Sequence, residues 1–122
     1  MTLLLVALGG AIGSALRYKI GMWVQSAGWG TFPAGTLFVN VTGAFVAGLL
    51  ATYLLERTSV SEELRTGILV GLLGGYTTFS TFAVQTRDLA DLSQWGYVVL
   101  NVVASVMGAL VAVWLGQQLA RL

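Results

Sequence analysis

The chain has 122 residues, 57% of them hydrophobic and 9% charged, against about 25% charged in an ordinary soluble domain. It contains no cysteine and no histidine, which excludes disulfides, thiolate chemistry, the commonest general base and the commonest transition-metal ligand. The formal net charge is +1 and the six basic residues are scattered, so there is no electrostatic footprint for nucleic acid.

Hydropathy and the placement of charge predict a single all-α membrane domain over residues 1–122 with four spanning helices. The first runs from about Thr2 to Val24. It lacks a basic stretch in front of the apolar run, and Arg17 and Lys19 follow that run, so it reads as a retained span and not as a signal peptide. Gln25 to Pro33 is rich in Gly, Ser and Trp, and tryptophan suits the membrane interface. The second span runs from about Gly35 to Leu55 and carries Asn40. Glu56 to Glu63 is a polar connection in which Ser61 suits the N-cap of the next helix.

The third span, about Leu64 to Asp91, is the unusual one. Thr66 to Thr86 is 21 residues without a charge, enough to cross a membrane. Its centre reads Gly74-Gly75-Tyr76-Thr77-Thr78-Phe79-Ser80-Thr81-Phe82, where a plain anchor would place Leu, Ile and Val. Non-helical backbone at membrane depth is tolerated only where it is buried in protein or lines a wet cavity. The expectation is a helix broken at its centre and unwound from Gly74 to Thr78, with freed carbonyls available to a cation. Asp88 to Gln94 is short and polar, and the fourth span runs from about Trp95 to Ala120.

Small residues recur at every fourth position: Gly9 and Gly13; Gly67, Gly71 and Gly75; Ala104, Gly108, Ala112 and Gly116. This is the usual packing pattern between helices in lipid, and the number of such stripes suggests more interface than one subunit uses. With four spans, Arg57, Arg65 and Arg121 fall on one side and Arg17, Lys19 and Arg87 on the other. Orientation follows a bias in Lys and Arg, and here there is none. Insertion in both orientations, with opposed copies pairing in the membrane, is one outcome; an orientation set by a weaker cue is the other.

Few residues inside the spans carry chemistry. The Asn40 amide offers two donors, which suits a small anion, and an interhelical hydrogen bond is its alternative use. Thr36 lies one turn away on the same face, which Gly43 keeps thin. Phe79 and Phe82, three apart, point to one side of a helix. Their positive ring edges can line an anion path, or the rings can simply pack. Thr78, Ser80 and Thr81 can donate hydroxyls or bond back to the preceding turn. No Asp or Glu lies in the central part of any span, although a proton-coupled antiporter needs such a carboxylate, and no nucleophile–base pair is present.

Three ordered blocks make the chain similar to the small bacterial fluoride channels, the Fluc or CrcB family, over essentially its full length. They are Gly9-Gly10-Ala11-Ile12-Gly13-Ser14-Ala15-Leu16-Arg17-Tyr18, Phe32-Pro33-Ala34-Gly35-Thr36-Leu37-Phe38-Val39-Asn40, and the segment Gly74 to Phe82 quoted above. The resemblance implies a homodimer of antiparallel, dual-topology subunits in the cell (inner) membrane. It implies passive export of toxic fluoride along two pathways lined by Asn40, Phe79 and Phe82. It also implies a structural sodium ion held by the backbone carbonyls of Gly74 and Thr77 from both subunits. Arg17 matches a family arginine that serves as an interfacial anchor, the preferred reading, or as an anion attractor in a vestibule. Ser105 extends the polar track into the fourth span. Many relatives carry a glutamate where this chain has Gln85, so no role for that carboxylate transfers. A small multidrug-type exporter with the same helix count is the alternative, opposed by the missing membrane carboxylate; a helix scaffold would leave Asn40 and the break unexplained.

Overall fold

A computed structural model describes all residues from Met1 to Leu122. The chain is all helical: α1 (Thr2–Gln25), α2 (Ala34–Glu56), α3 (Glu62–Thr66), a π-helical segment (Gly67–Leu73), α4 (Gly74–Tyr76), α5 (Phe79–Asp91) and α6 (Trp95–Arg121). Grouped as continuous spans, four helices are long and apolar enough to cross a membrane, over Thr2–Gln25, Ala34–Glu56, Glu62–Asp91 and Trp95–Arg121. The limits expected from hydropathy are met to within two residues at every end.

Burial is distributed as a lipid-embedded protein requires. Only 20 of 122 residues are buried, and the buried set includes Thr52, Thr78, Asn101 and Ser105. Leucines, valines and methionines along α1 and α6 are exposed, Leu3, Leu8, Val103 and Leu110 among them. In water such a surface would drive aggregation; against hydrocarbon it costs nothing, and the polar groups retreat to hydrogen bonds inside.

Local chemistry sets the helix ends. The Ser61 hydroxyl accepts from Leu64 N at 3.2 Å, with Glu62 and Glu63 in the first turn of α3, where acidic groups suit the helix dipole. Arg57 Nη2 donates to the Arg121 carbonyl at 3.0 Å, and Arg121 Nη2 reaches Glu56 Oε1 at 3.4 Å. These contacts gather the ends of α2 and α6 at one end of the bundle, as four spans require.

α2 packs most extensively on α6, and α1 lies along the π-helical segment and α4. Glycine makes that second contact possible. A Cβ on Gly75 would stand 2.8 Å from the Gly10 carbonyl oxygen, and Gly71 faces Val6 in the same way. The stripes of the first and third spans are thus spent on each other within one subunit, and Gly116 of the fourth packs on Phe45 of α2. They do not supply the surplus of interface that their number suggested.

Within the third span the expected unwinding from Gly74 to Thr78 is corrected. Gly74, Gly75 and Tyr76 are helical; the extended residues are Thr77 (φ −92°, ψ 158°) and Thr78 (φ −151°, ψ 122°). Gly75 marks a close approach and both glycines continue the helix, while the chain departs from helix at the two threonines. The π-helical turn just before them had no counterpart in the sequence reading. Such segments are rare and cluster at functional sites.

Candidate functional site

The extended pair is held by one side chain from α2. Thr78 N donates to Asn40 Oδ1 at 2.7 Å, and Asn40 Nδ2 donates to the Thr78 carbonyl at 2.8 Å. The amide thus meets the backbone as a neighbouring strand would, satisfying both groups of a residue outside any helix. Gly43 allows the approach: a Cβ there would collide with the Thr77 methyl group. The Tyr76 hydroxyl adds a 3.0 Å bond to Thr42 Oγ1.

The same bonds release two carbonyls. In a continuous helix Thr78 N would donate to the Gly74 carbonyl and Thr81 N to that of Thr77. Here Thr78 N is taken by Asn40, and Thr81 N donates to Thr78 Oγ1 at 3.2 Å, the N-cap of α5. Neither helical bond forms. Thr78 Oγ1 donates its own O–H to Thr81 Oγ1 at 3.0 Å and lies 3.4 Å from Ser80 Oγ. The hydroxyl run therefore caps the second half of the span.

Two open cavities flank the break and share Thr78. One, of about 440 Å³, is lined by Asn40, Thr77, Thr78, Phe79, Phe82 and Ser105, with apolar residues of α2 and α6. No acidic residue lines it. The rings of Phe79 and Phe82 stand side by side, centroids 5.5 Å apart and tilted by 36°. Phe79 is 79% exposed in the single subunit. The other, of about 670 Å³, opens beside Arg17, Thr36, Thr81, Gln85 and Asp88. Arg17 makes no ion pair there.

The structure thus brings Asn40, Thr77, Thr78, Phe79, Phe82 and Ser105 together. Thr36 is set apart: one turn from Asn40, it faces the Arg17 cavity. Ser80 lines neither cavity, and Gly74 is exposed beside the break. Asn40 spends one of its two donor hydrogens on Thr78, so both uses foreseen for the amide are open to a single residue.

Asn101 was not anticipated. It is 2% exposed. Its Nδ2 donates to Thr86 Oγ1 at 3.0 Å, Thr86 Oγ1 donates to the Phe82 carbonyl at 2.7 Å, and Ser105 Oγ donates to Asn101 Oδ1 at 3.4 Å. The signal was present: an amide in an apolar span needs partners, the argument applied to Asn40. Gln85 Oε1 is buried without a hydrogen-bond partner. No cluster of three acidic, His or Cys side chains exists to hold a metal.

Comparison with known proteins agrees along the whole length. The family described as "CrcB-like protein, Camphor Resistance (CrcB)" matches residues 4–117. A protein of Paramagnetospirillum magneticum named fluoride-specific ion channel FluC is 48% identical, covering 100% of this chain and 97% of its own. Proteins of the same name from Rhizobium meliloti and Geobacter metallireducens are 44% and 43% identical, covering 98% and 99% of this chain and 95% and 98% of theirs. With four apolar spans and a match from one end to the other, the chain belongs to the CrcB family of multi-pass membrane proteins.

Proposed function

We propose that the protein is a fluoride channel that lets the ion leave passively, working as a pair of antiparallel copies in the cell membrane. The names of its relatives support the ion. The observation that carries the reading is one groove lined by Asn40, Phe79, Phe82 and Ser105 with no carboxylate in it. Fluoride is small and holds its water tightly, so a path must offer donors in exchange. A fixed charge deep in the path would bind the ion too well, and conduction needs several weak sites. The free N–H of Asn40, the ring edges of Phe79 and Phe82 and the hydroxyls of Thr78 and Ser105 are such donors. Arg17, unpaired in the larger cavity, attracts anions to its mouth, and Thr36 lines the approach there; this is a vestibule role in preference to an anchor. Ser80 stands outside both cavities and belongs to the hydroxyl cap.

A second copy completes the site. Phe79 and Gly74 lie open at the break, and a partner seated there would bury them and give each half of the pair one pathway. The two carbonyls freed at Gly74 and Thr77 fit a sodium ion. Two copies would offer four neutral oxygens, a set suited to a hard monovalent cation and poor for divalent ions, which recruit carboxylates. Bound there, sodium would link the subunits and hold the break open, without being transported.

The test is efflux from liposomes containing the purified protein, with fluoride inside, chloride as comparator and no proton gradient. Fluoride should leave and chloride stay. Efflux that appears only with a proton gradient would favour a coupled exporter. Movement of neither ion would leave a helix scaffold.

A further inference from the structure

We infer that Asn101 is a positioning residue of the pathway, acting on Phe82 through Thr86 and on the Ser105 hydroxyl directly; this rests on the channel reading above. Asn101 does not line the groove, whereas Phe82 and Ser105 both do. α5 touches α6 more than any other helix, and the bond from Asn101 to Thr86 is its one side-chain hydrogen bond to another helix. Thr86 accepts from Asn101 and donates its own O–H to the carbonyl of Phe82, one turn earlier. The amide therefore fixes the turn that carries the ring.

The other end of the amide acts on Ser105. A hydroxyl has one proton, and Ser105 donates its proton to Asn101 Oδ1 at 3.4 Å. That is longer than a strong O–H···O bond. An anion in the groove turns the Ser105 O–H toward itself easily, and the O–H turns back to Asn101 Oδ1 when the anion moves on. Asn101 so parks the donor between passages and keeps Ser105 from trapping the ion.

Thr86→Val and Thr86→Ser decide the matter, since valine keeps the shape of threonine without its hydroxyl and serine keeps the hydroxyl. Fluoride efflux per dimer of correct mass should fall about tenfold in Thr86→Val, the cost of one buried bond left open, and Thr86→Ser should restore it. Asn101→Leu should lose at least as much, and Asn101→Leu with Thr86→Val should be no worse than Asn101→Leu alone, because both cut one chain of bonds. If Asn101→Leu does not fold, the Thr86 pair still decides. Thr86→Val conducting like the wild type overturns the proposal, as do additive losses in the double variant or a fall in thermal midpoint with efflux per dimer intact. Failure of the channel reading is distinguishable, since the wild type itself would then pass no fluoride.

Discussion

Asn40 clasps the backbone and faces the groove with the same amide, so a substitution must be chosen to separate the two uses. Asn40→Asp keeps an oxygen for Thr78 N, loses the donor to the Thr78 carbonyl and places a negative charge where an anion should pass. Fluoride efflux should fall by about a hundredfold or more while the dimer survives in detergent, read by a fluoride electrode and by size. Unchanged efflux would make Asn40 a structural residue. The neighbouring rings test geometry against bulk. Phe79→Ile and Phe82→Ile keep apolar volume and remove the ring edge, so each should slow fluoride markedly with chloride still excluded. Normal efflux in both would leave the pair as packing. What the sequence made legible here was chemical oddity: an amide and two aromatic rings among aliphatic neighbours. The partner of that amide was not legible, because Thr78 lies 38 residues further along the chain, and only packing of α2 on the break brings them together. Asn101 carried the same signal in a more apolar helix, with no motif around it to draw the eye.

The four spans were readable because hydropathy in lipid is a property of continuous segments, and their ends fell within two residues of the helices found. The course of the third span was readable only in part. Gly-Gly looks like a helix breaker, yet both glycines are helical, and the departure comes at Thr77 and Thr78. Close backbone approach to α1 explains Gly75, and that is a tertiary fact; nothing within the subunit crowds Gly74. The two positions therefore respond differently. A Cβ on Gly75 meets the Gly10 backbone, whereas one on Gly74 finds only the Leu69 carbonyl at 4.0 Å. Gly75→Val should destabilise the subunit by about 1–3 kcal/mol, since α1 must shift to admit it, seen as a lower thermal midpoint and poor recovery. Gly74→Ala should leave the helices of one subunit undisturbed. If Gly74→Ala nevertheless loses dimer, the crowding must come from a second copy. Equal loss of subunit stability in both variants would mean that the third span packs differently from the arrangement described.

For the antiparallel pair proposed above, orientation and the cation are the two features to test. Arg57 and Arg121 meet at one end of the bundle, Arg17 stands by a cavity lined by residues from the other end of α1, and the basic residues divide evenly between the two sides. A chain without a charge bias has no electrostatic reason to choose one orientation. Both should occur, and opposed copies can then bring two breaks together. The chain lacks cysteine, so Ser59→Cys, in the exposed connection between α2 and α3, provides a single thiol. An impermeant reagent applied to intact cells should label roughly half of the molecules, the remainder becoming accessible only after lysis. Labelling wholly from one side would end the antiparallel assembly and, with it, a cation site shared across the pair. If both orientations are found, the cation can be tested by linkage. A sodium ion held only by the assembled pair adds stability as its concentration rises above its dissociation constant. The dimer should persist in sodium and dissociate more readily when a large organic cation replaces it at equal ionic strength, with potassium as an intermediate control. The freed carbonyls of Gly74 and Thr77 give that effect a specific location, so proline at Thr78, which removes the N–H held by Asn40 and disturbs the break, should abolish the sodium dependence. A dimer indifferent to sodium in the unsubstituted protein would mean that those carbonyls are solvated in some other way and that the subunits are joined by apolar contact alone.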